Sequence, residues 1–509
     1  MISSLLINFL LFVIVGYYFK KFHVVSRTLD FLLKGALLIG CGWLLLTSLG
    51  YLFTPLIFDH AEANIASVGA LYGKGLEIYT ELSAPSRYSL LYGPWPYLVV
   101  AFFQSLISNM ILAAKLPGVI NLFLLVGCTY ILSTKIKGSA FQKLLSICVI
   151  PLALLGYYNF SYWNRPDSYI MANLFCAFTV VSFAPRISFW GTSLLVGLLA
   201  GLAANSKLHA CLYFVPVAVY FFETYRFRRY WTKILLAAIA FLCALVMPFL
   251  LPNIGAENYL LWLQMASKHG LVLEIFLKNI SFVASFLLFL YFSRFNEKFK
   301  LSFIALCVVS FLVAVVASKP GAGQHHFLPF VPLILWLAIQ QYFSMDSLGR
   351  SRFHLFAAAF LLTLAINGVN RQKQIAKFLA QTSVREREFS DLLNLATSLP
   401  GNVELGFAGN KTYESTFYKS ALIGRNKGML LDGAALMDMA ASGISIPDST
   451  IAEIKSCRSY FVFPKGEEPW SILSFYTEKP LFDDQFKSAF KSAYVFERNT
   501  EFFAVYKCR

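Results

Sequence analysis

Charge is scarce in this sequence. Only 14% of its 509 residues are Asp, Glu, Lys or Arg, against about a quarter in a soluble globular domain. That shortage excludes an ordinary soluble protein over most of the length. Metal-site patterns are missing as well: the nine cysteines form no Cys-x-x-Cys pair and no Cys/His spacing. Seven of them (Cys41, Cys128, Cys148, Cys176, Cys211, Cys243, Cys307) lie in or beside apolar runs and read as small buried hydrophobes. No Gly-rich strand–turn–helix is present to cradle a nucleotide's phosphates. Low-complexity tracts and internal repeats are also absent. The first basic residues after the start, Lys20 and Lys21, follow an apolar run rather than precede it, so no cleavable signal is expected.

What fills the chain is apolar. Hydrophobic residues make up 58%, the mean hydropathy is +0.62, and there are 50 Phe, 26 Tyr and 8 Trp. Rings in that number suit lipid-facing surfaces and interfacial belts. Runs long enough to cross the hydrocarbon core are expected at 4–19, 31–53, 109–134, 140–158, 168–184, 189–204, 209–222, 233–251, 276–293, 300–317, 326–343 and 353–369. The fold class is therefore an α-helical polytopic membrane protein with about twelve transmembrane helices.

The net charge of +16 does not mark a nucleic-acid-binding protein. Residues 371–509 hold 18 basic and 16 acidic residues, leaving 25 and 11 for the rest, so +14 lies in the apolar part. The basic residues there cluster in alternate short connectors: Lys20/Lys21/Arg27, Lys135/Lys137, Arg186, Arg226/Arg228/Arg229/Lys233, Arg294/Lys298/Lys300 and Arg350/Arg352. The positive-inside rule puts these in the cytoplasm and both chain ends outside. One apolar stretch, 90–107, breaks that parity if it crosses. With Pro94 and Pro96 early and Tyr92, Trp95 and Tyr97 suited to an interface, it is expected to lie at the outer surface.

The outward connectors are then the long loop 54–108, 159–167, 205–208, 252–274 and 318–325, and they hold the candidate chemistry. Phe58-Asp59-His60-Ala61-Glu62 puts two carboxylates three apart at a helix start. That is a capping box, a functional pair, or both. Arg165-Pro166-Asp167 opens a helix or supplies a second outward carboxylate. Lys207 either snorkels or meets a lipid phosphate. His325 and His326 end a turn-rich loop; being adjacent, they cannot share one helical face.

Beyond residue 370 the composition becomes that of a soluble domain. A charged helix over 372–398, strands at 403–407, 460–463, 493–496 and 502–506, and helices near 432–443 and 483–492 make a small α/β domain. The expected domains are 1–370, transmembrane and catalytic with the large first outer loop 54–108, and 371–509, soluble and extracytoplasmic. Cys457 and Cys508 are the only cysteines of the second domain, and an oxidising compartment would pair them.

The order Asp59-x-x-Glu62, Gly73-x-Gly75 with Tyr79, Tyr92-Gly93-Pro94, Lys115-Leu116-Pro117 and Arg165-Pro166-Asp167 resembles the GT-C superfamily of glycosyltransferases over about residues 30–345. The resemblance is to the bacterial branch, similar to protein O-mannosyltransferases and the aminoarabinose transferase acting on lipid A. Here His60 stands where an acid is common, Gly93 where a proline is, and Lys115 where an arginine is. The resemblance implies an extracytoplasmic site in a bacterial inner membrane, facing the periplasm, and a polyprenyl-phosphate sugar as donor. A glycan, glycolipid or protein would be the acceptor. Asp59 would be the general base, Glu62 and Asp167 would position substrate, and Tyr92 would lie in the substrate-binding loop. Lys207, Arg165, His326 and His325 are the candidates to match the phosphate's charge. No metal or other cofactor is implied, the lipid-linked sugar being a co-substrate.

Two other classes compete. An O-antigen ligase or polymerase usually carries its large loop late, with arginines, whereas the acidic loop here is early. A polysaccharide or lipid transporter or flippase predicts charges deep in spans and repeated halves, which the sequence does not display.

Overall fold

A computed structural model of the chain describes residues 27–157, 161–225, 230–292, 299–345, 373, 375–376, 380–409, 413–425 and 427–509. The expected spans at 4–19 and 353–369 lie outside the described residues. So do Lys20, Lys21, Arg226, Arg228, Arg229, Arg294, Lys298, Arg350 and Arg352 of the basic connectors.

The apolar runs form helices close to where periodicity and length put them: Arg27–Phe53, Met110–Ser133, Ala140–Tyr157, Pro166–Ser182, Phe189–Ala204, Leu273–Phe292, Lys300–Val316 and Phe330–Ser344. Four helical stretches among the described residues, Lys34–Phe53, Met110–Ser133, Leu208–Tyr225 and Trp231–Leu250, are long and apolar enough to cross a membrane. Helices 140–154, 189–204, 300–316 and 330–344 are apolar and shorter. The chain is a polytopic α-helical membrane protein with a small C-terminal sheet.

The disputed stretch 90–107 forms only the 12-residue helix Trp95–Leu106. At 1.5 Å per residue it is about 18 Å long, well short of a bilayer core about 30 Å thick. Its face packs instead on helix His60–Gly73. A Cβ at Gly69 would come within 2.8 Å of Val100 and 3.1 Å of the Tyr97 carbonyl, so the two helices meet where only glycine fits.

The chain divides into two compact units. One is drawn from described residues within Met1–Tyr51, Gly118–Leu245 and Leu271–Lys377, the other from Leu52–Pro117, Val246–Gly270 and Phe378–Arg509. Residues 52–117 and the C-terminal segment thus share one core. That core runs from Ile57, Ile65, Tyr79 and Tyr97 through Tyr259 and Trp262 to Phe407, Leu431, Phe461 and Trp470.

Within the second unit a four-stranded sheet has the order β1 (Asn402–Leu405), β2 (Ser459–Pro464), β4 (Phe503–Cys508), β3 (Tyr494–Asn499). The β1–β2 pair is parallel; β2–β4 and β3–β4 are antiparallel, with an irregularity between Phe496 and Arg498. Alternation along β2 explains its place at the centre. Phe461 and Phe463 enter the large core, and Val462 enters a smaller one with Val403, Leu405, Val505 and Leu395 of helix Thr382–Ser398. Cys457 and Cys508 are disulfide-bonded, with Cα atoms 5.5 Å apart, tying the end of β4 to the turn between helix Asp448–Lys455 and β2. Helix Ala256–Ser267 was not expected in the connector 252–274. Its indole Trp262 is fully buried and donates to the Thr80 carbonyl at 2.9 Å.

Candidate active site

In the first unit the loop before Asp167 is built by close backbone packing. A Cβ at Gly118 would lie 2.4 Å from the Tyr162 carbonyl oxygen and 2.7 Å from the Asn164 nitrogen. Helix Met110–Ser133 therefore receives the loop edge-on at that glycine. The Asn164 amide donates to the Tyr51 hydroxyl at 3.3 Å, and the Tyr169 hydroxyl donates to the Asn164 side-chain oxygen at 2.8 Å. Arg165 is extended, Pro166 opens the helix, and Asp167 falls in its first turn, where the helix dipole favours a carboxylate.

Asp167 is buried between two cations. Lys207 Nζ lies 2.8 Å from its Oδ1 and Arg165 Nε 3.4 Å from its Oδ2, and all three side chains are at most 7% exposed. Lys207 reaches this position because helix Phe189–Ala204 stops at Asn205, whose side chain donates to the Leu245 carbonyl at 2.7 Å. Lys207 itself is extended, before the 3-10 helix Leu208–Phe214. The Tyr213 hydroxyl on that turn donates to the His326 carbonyl at 2.5 Å. His326 is buried with its Nδ1 3.3 Å from His209 Nε2, and the His325 ring centroid is 4.6 Å from that of His326. Both His325 and His326 are electrostatic neighbours of Asp167. The first unit therefore brings together Arg165, Asp167, Lys207, His325 and His326, with His209 beside them. Two cations and a carboxylate are thus gathered in one buried cluster.

Asp59, Glu62 and Tyr92 belong to the second unit. Asp59 caps helix His60–Gly73: its Oδ1 accepts the Ala61 amide at 3.0 Å and the Glu62 amide at 3.4 Å. Glu62 is fully buried and accepts the Phe58 amide at 3.3 Å, one residue earlier than in a standard capping box. Lys115, also fully buried, donates to the Thr54 carbonyl at 2.6 Å, lies 5.2 Å from the Phe58 ring centroid and feels the charge of Glu62. His60 is half-exposed, with Nδ1 3.7 Å from Asp59 Oδ2. Tyr92 is partly buried against the large core, and its carbonyl accepts the Tyr79 hydroxyl at 2.6 Å.

Sequence reasoning missed three groups. His209 stands two residues from Lys207, and that proximity was its only signal. Lys115 was quoted within a motif, but a lysine inside an apolar run is itself a functional signal. It is fully buried in the second turn of helix Met110–Ser133. The third is a buried set from the C-terminal segment: Glu404, Lys419 and Asp432. Burial pushes Lys419 down to about 8 and raises Glu404 and Asp432. Lys419 donates to the Leu431 carbonyl, and Glu404 accepts the Leu430 amide at 3.0 Å. Among the described residues, no group of three His, Cys, Asp or Glu side chains is placed to hold a metal ion.

A polytopic helical membrane part with a small C-terminal sheet has counterparts among solved structures. The chain is similar in structure to ArnT from Cupriavidus metallidurans bound to undecaprenyl phosphate, with a TM-score of 0.55 and 12% identity over 91% of this chain and 98% of that one. It is likewise similar to ArnT from the same organism in the apo state, with a TM-score of 0.54 and 12% identity over 91% and 97%. At that identity the likeness is one of fold. No protein-family model and no curated protein matches the sequence.

Proposed function

We propose that this protein is a membrane glycosyltransferase that moves a sugar from a polyprenyl-phosphate-linked donor to an extracytoplasmic acceptor by inverting displacement. The single observation that carries the reading is the buried pair of cations, Lys207 and Arg165, sharing the carboxylate of Asp167. Both side chains are cationic groups of the kind that can meet the phosphate of a leaving group. The similar fold of ArnT with undecaprenyl phosphate bound supports the class of leaving group. His326 and His325 would complete the phosphate's surroundings.

Asp59 is the general base in this reading. It takes the proton of an acceptor hydroxyl as that oxygen attacks the anomeric carbon and the carbon–phosphate-oxygen bond breaks. Glu62 and Asp167 position acceptor and sugar, and Tyr92 lies in the substrate loop. The site and residues 371–509 face the periplasm of a bacterial inner membrane. The acceptor is a glycan, a glycolipid or a protein.

The test uses purified protein in detergent. Polyprenyl-phosphate sugars extracted from the producing cells serve as donor and the membrane glycolipid fraction as acceptor, with transfer followed by mass spectrometry. Release of polyprenyl phosphate that depends on acceptor supports the reading, and Asp59→Asn should abolish it while leaving expression intact. Transfer by Asp59→Asn at a near-normal rate would leave Asp59 as a helix cap only. A transporter or flippase would release nothing in micelles.

A further inference from the structure

Two histidine rings meet in the first unit, and the proposed function uses only one of them. His326 Nδ1 lies 3.3 Å from His209 Nε2, with ring centroids 5.3 Å apart and planes 30° from parallel. His209 follows Lys207 by two residues, in the 3-10 helix Leu208–Phe214, and Lys207 Nζ is 2.8 Å from Asp167. The contact between the rings is braced by Tyr213 on the same turn. Its hydroxyl donates to the His326 carbonyl at 2.5 Å, and its ring lies 6.1 Å from that of His209 and 4.8 Å from that of Phe330. Tyr213 thus ties the turn that carries His209 to the turn Gln324–Phe327 that carries His326.

A hydrogen bond between two imidazoles uses one hydrogen and decides where another must be. A neutral imidazole carries a single N–H, so a ring whose Nδ1 accepts holds its hydrogen on Nε2. If His326 Nδ1 donated instead, its Nε2 would present a bare lone pair, which repels an anion. Lys207 and Arg165 already place two cations around Asp167. The neutral Nε2–H form of His326 adds a donor there without adding a third buried charge, which would be costly.

We propose that His209 is a positioning residue for the leaving phosphate: its Nε2–H donates to His326 Nδ1 and so keeps the His326 hydrogen on Nε2, where a phosphate oxygen accepts it. This rests on the reading of Lys207, Arg165 and His326 as the phosphate's surroundings. His209 acts through the His326 ring and touches no substrate. The donor's phosphate is a diester with one negative charge, and it gains a second when the bond to the anomeric carbon breaks and the oxygen leaves with the electron pair. A donor fixed in place therefore counts for more after that bond breaks than before.

The test titrates the full-length protein in detergent with polyprenyl phosphate, the sugar-free product. At pH 8 this ligand is a dianion, above a second ionisation near about pH 6. Met and Gln are similar in length, and only Gln offers an N–H. His209→Met should weaken binding by about tenfold, the order of one hydrogen bond to a charged group, and His209→Gln should recover most of that loss. In transfer assays His209→Met should lower kcat more than it raises the donor KM. Nitrogen-15 spectra of histidine-labelled protein, with His326 assigned by its loss in His326→Gln, should show the hydrogen on Nε2. That spectrum of the wild type decides the matter even if His209→Met does not fold. A hydrogen on His326 Nδ1, full affinity in His209→Met, or no recovery in His209→Gln would each overturn the assignment. Lys207→Met separates it from the reading beneath. If Lys207→Met weakens binding and His209→Met does not, only the role of His209 falls. If the wild type binds no polyprenyl phosphate, the phosphate site itself falls.

Discussion

Removing the carboxylate of Asp167 should harm the protein more than removing either cation. The reason is charge counting in a desolvated site. Asp167→Asn takes away the one carboxylate that Lys207 and Arg165 share, at 2.8 and 3.4 Å. Lys207→Met leaves Asp167 with Arg165, still a neutral pair. At an effective dielectric of about 20, unit charges separated by the Lys207–Asp167 distance attract by about 6 kcal/mol before desolvation is counted. Breaking a buried pair by deleting one partner costs about 3–5 kcal/mol net. We therefore expect Asp167→Asn near the upper end of that range and Lys207→Met about 2 kcal/mol, because Arg165 remains. The double variant should be more stable than Asp167→Asn alone by about 2 kcal/mol, since it removes one of the two cations that Asp167 had faced. Unfolding by SDS titration in mixed micelles, run on all four proteins, gives the coupling energy directly. Equal losses for the two single variants, or additive losses in the double, would refute the shared-carboxylate arrangement.

Three further outcomes follow from particular contacts. Reducing the Cys457–Cys508 bond, or Cys508→Ser, should destabilise the C-terminal segment by about 4 kcal/mol on the loop-entropy model, since the bond closes 51 residues. Peptide mapping without reductant, finding both as free thiols, would remove the basis. Asp438 is pushed up to about 7, first by burial and then by the charge of Asp432, from an ordinary value of 3.8. The folded state then holds a proton that the unfolded state has lost, so stability is fullest below about pH 4 and falls by about 1.4 kcal/mol per unit towards pH 7. Asp438→Asn should flatten that slope in a denaturation series across pH, and an unchanged slope would assign it elsewhere. Finally, single cysteines at the exposed positions Glu257 and Ser445 should react with an impermeant thiol reagent in intact cells, and one at Lys137 should not. Reaction at Lys137 alone would mean that 90–107 crosses the membrane.

The parts of this protein that were legible in its sequence are those set by solvent. Among the described residues, the apolar runs form helices within a few residues of their expected bounds, because burial in hydrocarbon demands length and hydropathy, which are local properties. The four strands were legible for a similar reason, since Tyr460–Phe463 and Phe503–Tyr506 alternate about a two-sided core. Pairings were not legible. Lys207 and Asp167 were each singled out, yet their ion pair joins two helix starts 40 residues apart, and nothing local specifies it. The break at residue 370 was read from polarity, which reports what surrounds a segment and not what it packs against. Hence the shared core of residues 52–117 and 378–509 stayed hidden until Phe407, Leu431 and Trp470 were found with Ile65 and Tyr97.

Asp59 shows why a structural reading and a chemical reading of one residue need not compete. As a cap it uses Oδ1 on two amides, which fixes the carboxylate plane against the start of a 14-residue helix. Held that way, Oδ2 lies 3.7 Å from His60 Nδ1. Asp432 repeats the device at the start of another helix, with Oδ1 on two amides and Oδ2 left for other work. A carboxylate on a long free side chain would have to be ordered at each turnover, whereas a capping aspartate is ordered by folding. The N-cap at Asp59 is therefore the means by which the chain would aim a base.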